Sequence, residues 1–132
     1  MTKLLTLVVY MAGLTWLLLL AASLIRAKGW TLEGTKIAMG NRDNLPTATP
    51  LAGRADRTAR NTLEGFVLFA ALALVAQVSG VQSPRVLQGA EMFFWSRLAY
   101  VPVYYLGIPY LRTAVWLVGI AGLGMMATAL VC

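Results

Sequence analysis

Arg57-Thr58-Ala59-Arg60-Asn61-Thr62-Leu63-Glu64 opens a segment whose continuation, residues 65–84, carries no charge. At 3.6 residues per turn, Arg57, Asn61 and Glu64 fall on one helical stripe, with Arg60 beside it and Arg54 one turn earlier. A helix can carry such a stripe into a bilayer only by turning it away from lipid, toward protein, a water-filled cavity or a ligand. The reading that organises the chain is an all-α integral membrane protein in which this stripe lines an anionic-ligand site between helices.

Composition supports that class. Of 132 residues, 59% are hydrophobic and 12% charged, against about 25% charged in a typical soluble domain. The 11 Lys+Arg exceed the 5 Asp+Glu, for a net charge of +6. With no soluble basic domain to bind nucleic acid, clustered cations in an apolar chain set topology or hold an anion. There is no His, which removes the commonest general base and metal ligand. The single cysteine, Cys132, can form neither an intrachain disulfide nor a metal cluster, and it reads as an inert terminal thiol. No metal site is expected.

Four transmembrane helices are expected, at about 3–27, 53–79, 85–106 and 110–131, in a single domain spanning 1–132. Leu4–Ile25 carries no charge and is long enough to cross a ~30 Å hydrocarbon core. A signal peptide is the rival reading, but the run exceeds a typical h-region and no clear small-residue cleavage site follows it. Arg26 and Lys28 close the run, and Gly29 suits a helix stop. The polar connection at about 29–52 contains Gly40-Asn41-Arg42-Asp43-Asn44-Leu45-Pro46 and Pro50, residues that favour turns. It reads either as a solvated connector or as a cap over a site. Helix two should begin near Gly53, and Gly80 and Pro84 mark a short turn. In helix three, Arg97, Tyr100 and Tyr104 share a face, and Pro102 removes a backbone donor near the tyrosines. Glu91 is too far from Arg97 for an i,i+4 pair, so its partner is expected on another helix. Gly107, Pro109 and Arg112 form a tight hinge. Gly119, Gly122 and Gly124 permit close contact of helix four with a neighbour, although they do not form a GxxxG motif.

Cations concentrate on one side. Arg26, Lys28, Lys36, Arg42, Arg54, Arg57, Arg60 and Arg112 fall at or near loops one and three, against Lys3 and Arg85 on the other side. The positive-inside rule then places loops one and three in the cytoplasm and both termini outside. In a bacterial cell this corresponds to the inner membrane with periplasmic termini.

The residues alone admit two readings of the stripe. Arg57, Arg60 and Glu64 could be a salt-bridged seam between helices, and Arg97 with Tyr100 and Tyr104 could be packing plus an interfacial aromatic belt. Alternatively, the arginines bind carboxylates in bidentate fashion while Glu64 takes an amine and the tyrosine hydroxyls donate to an anion. A peptide-like anion would match the second reading. An arginine beside a ligand thiol would also lower its pKa from ~8.5, generating a nucleophile with no protein His or Cys. A small drug-proton antiporter, a third class with four short helices, needs a carboxylate deep in helix one, and helix one has none.

The pattern Arg57-x-x-Arg60-Asn61-x-x-Glu64 resembles the start of the second helix in the MAPEG family, membrane-associated proteins in eicosanoid and glutathione metabolism. Arg97-x-x-Tyr100-x-x-x-Tyr104 resembles the end of that family's third helix. Asn41-Arg42-Asp43, Leu51-Ala-Gly-Arg54-Ala-Asp56-Arg57 and Tyr105-Leu-Gly-Ile-Pro-Tyr-Leu-Arg112 look like its bacterial branch. The resemblance covers essentially the whole chain. It implies a homotrimer holding glutathione, as cosubstrate, between neighbouring subunits. Carried over by position, Arg57, Arg60, Asn61, Glu64, Tyr100 and Tyr104 would bind glutathione, with Arg26 reaching the site from the next subunit. Arg112 would stabilise the thiolate, although its interval from the second tyrosine varies in the family and Tyr105 adjoins Tyr104. The activity implied is a transferase or peroxidase acting on lipophilic electrophiles or lipid hydroperoxides that arrive from the bilayer. The alternative is a non-catalytic member that binds glutathione or another anion. Some members carry His where this chain has Tyr100, so prostaglandin-type isomerisation is not implied.

Overall fold

Hydroxyl residues mark where the helices begin. Thr2 caps α1 (Lys3–Ala27) by accepting from the Leu5 amide at 3.2 Å, and Thr31 caps α2 (Leu32–Met39) by accepting from Gly34 at 2.9 Å. Thr49 caps α3 (Pro50–Ser79) through the Ala52 amide at 3.1 Å, and Ser83 caps α4 (Pro84–Leu106). Such caps satisfy amides that have no partner inside the helix. α5 spans Pro109–Val131. The computed structural model describes residues 1–42, 45 and 47–131. The expected turn residues Asp43, Asn44 and Pro46, and the thiol of Cys132, lie outside the described residues.

Two expectations are corrected. The second long helix begins at Pro50 rather than near Gly53, because Thr49-Pro50 is itself a start signal: a hydroxyl cap followed by a residue with preset φ and no amide to satisfy. The polar connection also contains the short helix α2. Thr31 caps it, Glu33 in its first turn complements the helix dipole, and the Thr35 hydroxyl donates back to the Gly29 carbonyl at 2.9 Å. Further along, Arg42 folds over the end of α1 and donates to the Ser23 hydroxyl at 2.7 Å.

The described residues form five α-helices and no strand. α1, α3 and α5 are long and apolar enough to cross a membrane. α4 has 23 residues, but it carries Arg85, Glu91 and Arg97. α4 lies along α5 and α1 along α3, and α3 packs on α4 to join the two pairs. Phe69 of α3 stacks on Phe93 of α4 at 4.8 Å between centroids, in a core completed by Met11 and Met126. A second cluster, Leu18, Ala22, Ala55 and Ala59, joins α1 to the start of α3. The outer surface is apolar: Trp16, Leu17, Val67, Leu68 and Leu117 are all exposed. A chain solvated by lipid has no reason to bury such side chains.

α4 and α5 meet at backbone distance. A Cβ placed on Gly89 would lie 2.5 Å from the Gly122 carbonyl oxygen, and one on Gly122 would lie 2.6 Å from that of Gly89. The Ser96 hydroxyl donates across to the Val115 carbonyl at 2.8 Å. Glu91 finds its partner on another helix, in an ion pair with Lys3 of α1 at 2.9 Å.

Candidate functional site

At the Pro50 end of α3, the stripe faces the last two turns of α4 and the first turn of α5. Together they form an open cavity of about 370 Å³ lined by Arg57, Arg60, Asn61, Glu64, Tyr100, Tyr104 and Arg112. Seven of the eight residues expected from the sequence therefore line one cavity. Spacing brings the four α3 residues to one side, and the i,i+4 interval of Tyr100 and Tyr104 brings both rings to the other, 5.3 Å apart.

Tyr104 is the junction. Its hydroxyl accepts from Arg57 Nε at 2.9 Å, and the Arg112 guanidinium lies 4.8 Å from its ring centroid. The placement of Arg112 depends on how α4 ends. Gly107 adopts the left-handed conformation, φ 74°, and its amide donates to the Tyr104 carbonyl at 3.0 Å. A side chain would be strained there. α5 then starts at once at Pro109, and its first turn swings Arg112 back over Tyr104. Arg54 holds this turn from the other side. Its Nε donates to the Tyr105 carbonyl at 3.0 Å, and its side chain packs on Gly107.

Of the adjacent tyrosines, Tyr104 lines the cavity, whereas Tyr105 packs against the Leu18–Ala59 cluster. The seam reading does not match the contacts. Arg60 pairs with Asp56 at 3.2 Å on its own helix, Arg57 bonds Tyr104, and neither of the two ion pairs among the described residues involves Glu64. Three guanidiniums against one carboxylate leave the lining positive, suited to a ligand with more than one anionic group.

Arg26 stands apart. It sits in the last turn of α1, does not line the cavity, and has a buried Nη1 without a hydrogen-bond partner. A further contributor, Thr62, carried a weaker sequence signal. Thr58 and Thr62, an i,i+4 hydroxyl pair inside the stripe's own octet, are fully buried. Thr62 accepts from Arg97 Nη2 at 2.8 Å, and the Arg97 guanidinium lies 4.2 Å from the Tyr100 ring centroid. Arg97 thus supports the tyrosine from behind rather than lining the polar cavity. Arg54, read from sequence as part of the stripe, serves the hinge instead.

Among known proteins, the sequence model of the MAPEG family matches residues 4–132. Neither the curated proteins nor the solved structures contain a match to this chain.

Proposed function

Since the chain belongs to the MAPEG family and is an integral membrane protein, we propose that it binds glutathione and joins it through its sulfur to lipophilic electrophiles. The observation that carries this reading is the cavity lining: three arginines, one glutamate, one asparagine and two phenols around about 370 Å³. Glutathione offers two carboxylates, one amine and one thiol. Arg57, Arg60 and Asn61 suit the carboxylates, Glu64 the amine, and the tyrosine hydroxyls any remaining acceptor. Arg112 is the cation for the sulfur. Its field favours thiolate over thiol, and the thiolate attacks an electrophilic carbon, forming a carbon–sulfur bond as the leaving group departs. With a hydroperoxide the same thiolate would break the O–O bond, releasing alcohol and a sulfenic acid that a second glutathione converts to disulfide and water. The protein's part is binding, orientation and electrostatics.

In this proposal α4 crosses the bilayer with α1, α3 and α5, and its charges turn inward. Three copies assemble so that Arg26 of one faces the cavity of the next. Arg57, Arg60 and Glu64 are exposed on the open side of the cavity, the surface such a neighbour would cover. We place the protein in a bacterial inner membrane, where the cation distribution favours loops one and three cytoplasmic and both termini periplasmic.

The test is glutathione titration of the detergent-purified protein, with thiolate followed by ultraviolet absorbance. Saturable binding with a thiolate signal near neutral pH is expected. Binding without that signal would replace the transferase by a non-catalytic binder, and no binding by folded protein would overturn the glutathione assignment.

A further inference from the structure

Glu91 is the one acidic residue of α4, two turns in from Pro84 or about 10 Å along the helix. Ionisable side chains within a membrane helix ordinarily turn toward the bundle interior or a water-filled cavity. Glu91 instead lines an open groove of about 690 Å³ on the outer side of α4 and α5, where Trp95 and Val118 are exposed. The groove follows from the seam beneath it. Gly89 and Gly122 draw the two backbones together, the Ser96 hydroxyl is spent on the Val115 carbonyl, and Ala99 is too small to fill the space above. Glu91, Trp95 and Ala99 recur every fourth residue, so carboxylate, indole and gap share one stripe.

The carboxylate already shows what it takes. The Lys3 ammonium lies 2.9 Å from Glu91 Oε1, but the Lys3 side chain is 70% exposed, and an exposed ion pair contributes little. A second ammonium can therefore replace it at small cost. Trp95, one turn further along the stripe, offers an aromatic face that attracts cations.

We propose that the α4–α5 groove binds a lipophilic amine from the bilayer, its ammonium between the Glu91 carboxylate and the Trp95 indole and its chain along the groove past Ala99 and Val118. Apolar walls with a single carboxylate select a cationic amphiphile and disfavour an anionic one. The volume lies within the roughly 300–1,000 Å³ of small-molecule sites. The groove shares no lining residue with the polar cavity. The inference rests on the placement of α4 in the bilayer proposed above and not on glutathione.

Binding of radiolabelled hexadecylamine to the protein purified in uncharged detergent tests this, with hexadecanol as the neutral counterpart of equal chain length. The amine-to-alcohol affinity ratio is compared between parent and Glu91→Gln, which cancels the different partition of the two ligands into micelles. The ratio should be about tenfold higher in the parent, because a charge-assisted hydrogen bond forms only with the carboxylate. Trp95→Leu, at an exposed position, should weaken amine binding by about two- to fivefold. Lys3→Ala removes the internal competitor and should tighten amine binding by up to about fivefold, the most that an exposed ion pair withholds. An unchanged ratio in Glu91→Gln would overturn the site, as would weaker amine binding in Lys3→Ala. Tighter binding of hexadecyl sulfate than of hexadecylamine would overturn it too, by assigning the groove to Lys3. Glutathione is absent from the assay, so the outcome is decided separately from that of the thiol site.

Discussion

Tyr104 accepts from Arg57, lies under Arg112 and tilts against Tyr100, so one phenol links all three helices of the polar cavity. Tyr104→Phe keeps the ring and its stacking with Arg112 but removes the acceptor for Arg57. Glutathione affinity measured by calorimetry should fall by up to about tenfold, the low end for a hydrogen bond to a charged group, since Arg57 is reachable by water. A variant that binds as tightly as the parent would show that Arg57 needs no orienting. Arg112→Ala should behave differently, lowering the thiolate signal and conjugation rate while the assembly persists. Unchanged turnover would remove Arg112 from the chemistry. At this scale the sequence was informative where spacing alone sets a face, as with Arg57, Asn61 and Glu64. It was uninformative between Tyr104 and Tyr105, because adjacent residues point about 100° apart on a helix and only packing selects the one that meets the cavity.

The α4–α5 pair rests on missing side chains. Gly89→Ala would press a methyl group into the Gly122 carbonyl, and backbone cannot yield as a flexible side chain can. The expected cost is about 1–3 kcal/mol, the usual range for overpacking, read as a lower melting temperature in detergent. Gly124 has no atom within 4 Å of its would-be Cβ. Gly124→Ala should be neutral or should stabilise by up to about 1 kcal/mol, because alanine is the better helix former. Equal effects at the two positions would mean that the helices are not packed this closely. The glycine cluster was legible in the sequence as a capacity for close approach. The partner surface at Gly89 was not, because one glycine in the middle of α4 carries no local sign of what faces it. The short helix α2 was similarly hidden, since eight residues in a polar connection generate little periodicity.

At the scale of the whole molecule, the polar cavity is open where Arg57, Arg60 and Glu64 are exposed, and Arg26 sits outside it with a buried nitrogen unpartnered. Native mass spectrometry of protein released from detergent should give three times the 14.3 kDa chain mass. Arg26→Ala should weaken glutathione binding although Arg26 touches none of its own chain's cavity. Full affinity in a monomeric preparation would refute the shared site, and unaltered affinity in the Arg26 variant would leave that residue a helix-terminal cation interacting with the dipole of α1.

Membrane class, the long helices and the polar stripe were readable from the chain, because they follow from local quantities: charge-free run length, composition and the 3.6-residue period; the family was readable from the resemblance of its motifs. The start of α3 at Thr49-Pro50 was equally local and lay one turn before the expected Gly53. The fold alone brought Arg112 above Tyr104, turned Tyr105 toward α1, diverted Arg54 to the hinge and buried Arg97 beside a second cavity. Each of these depends on where one helix lies against another. That is set by glycine contacts and turn geometry between residues distant in sequence, which a reading along the chain does not contain.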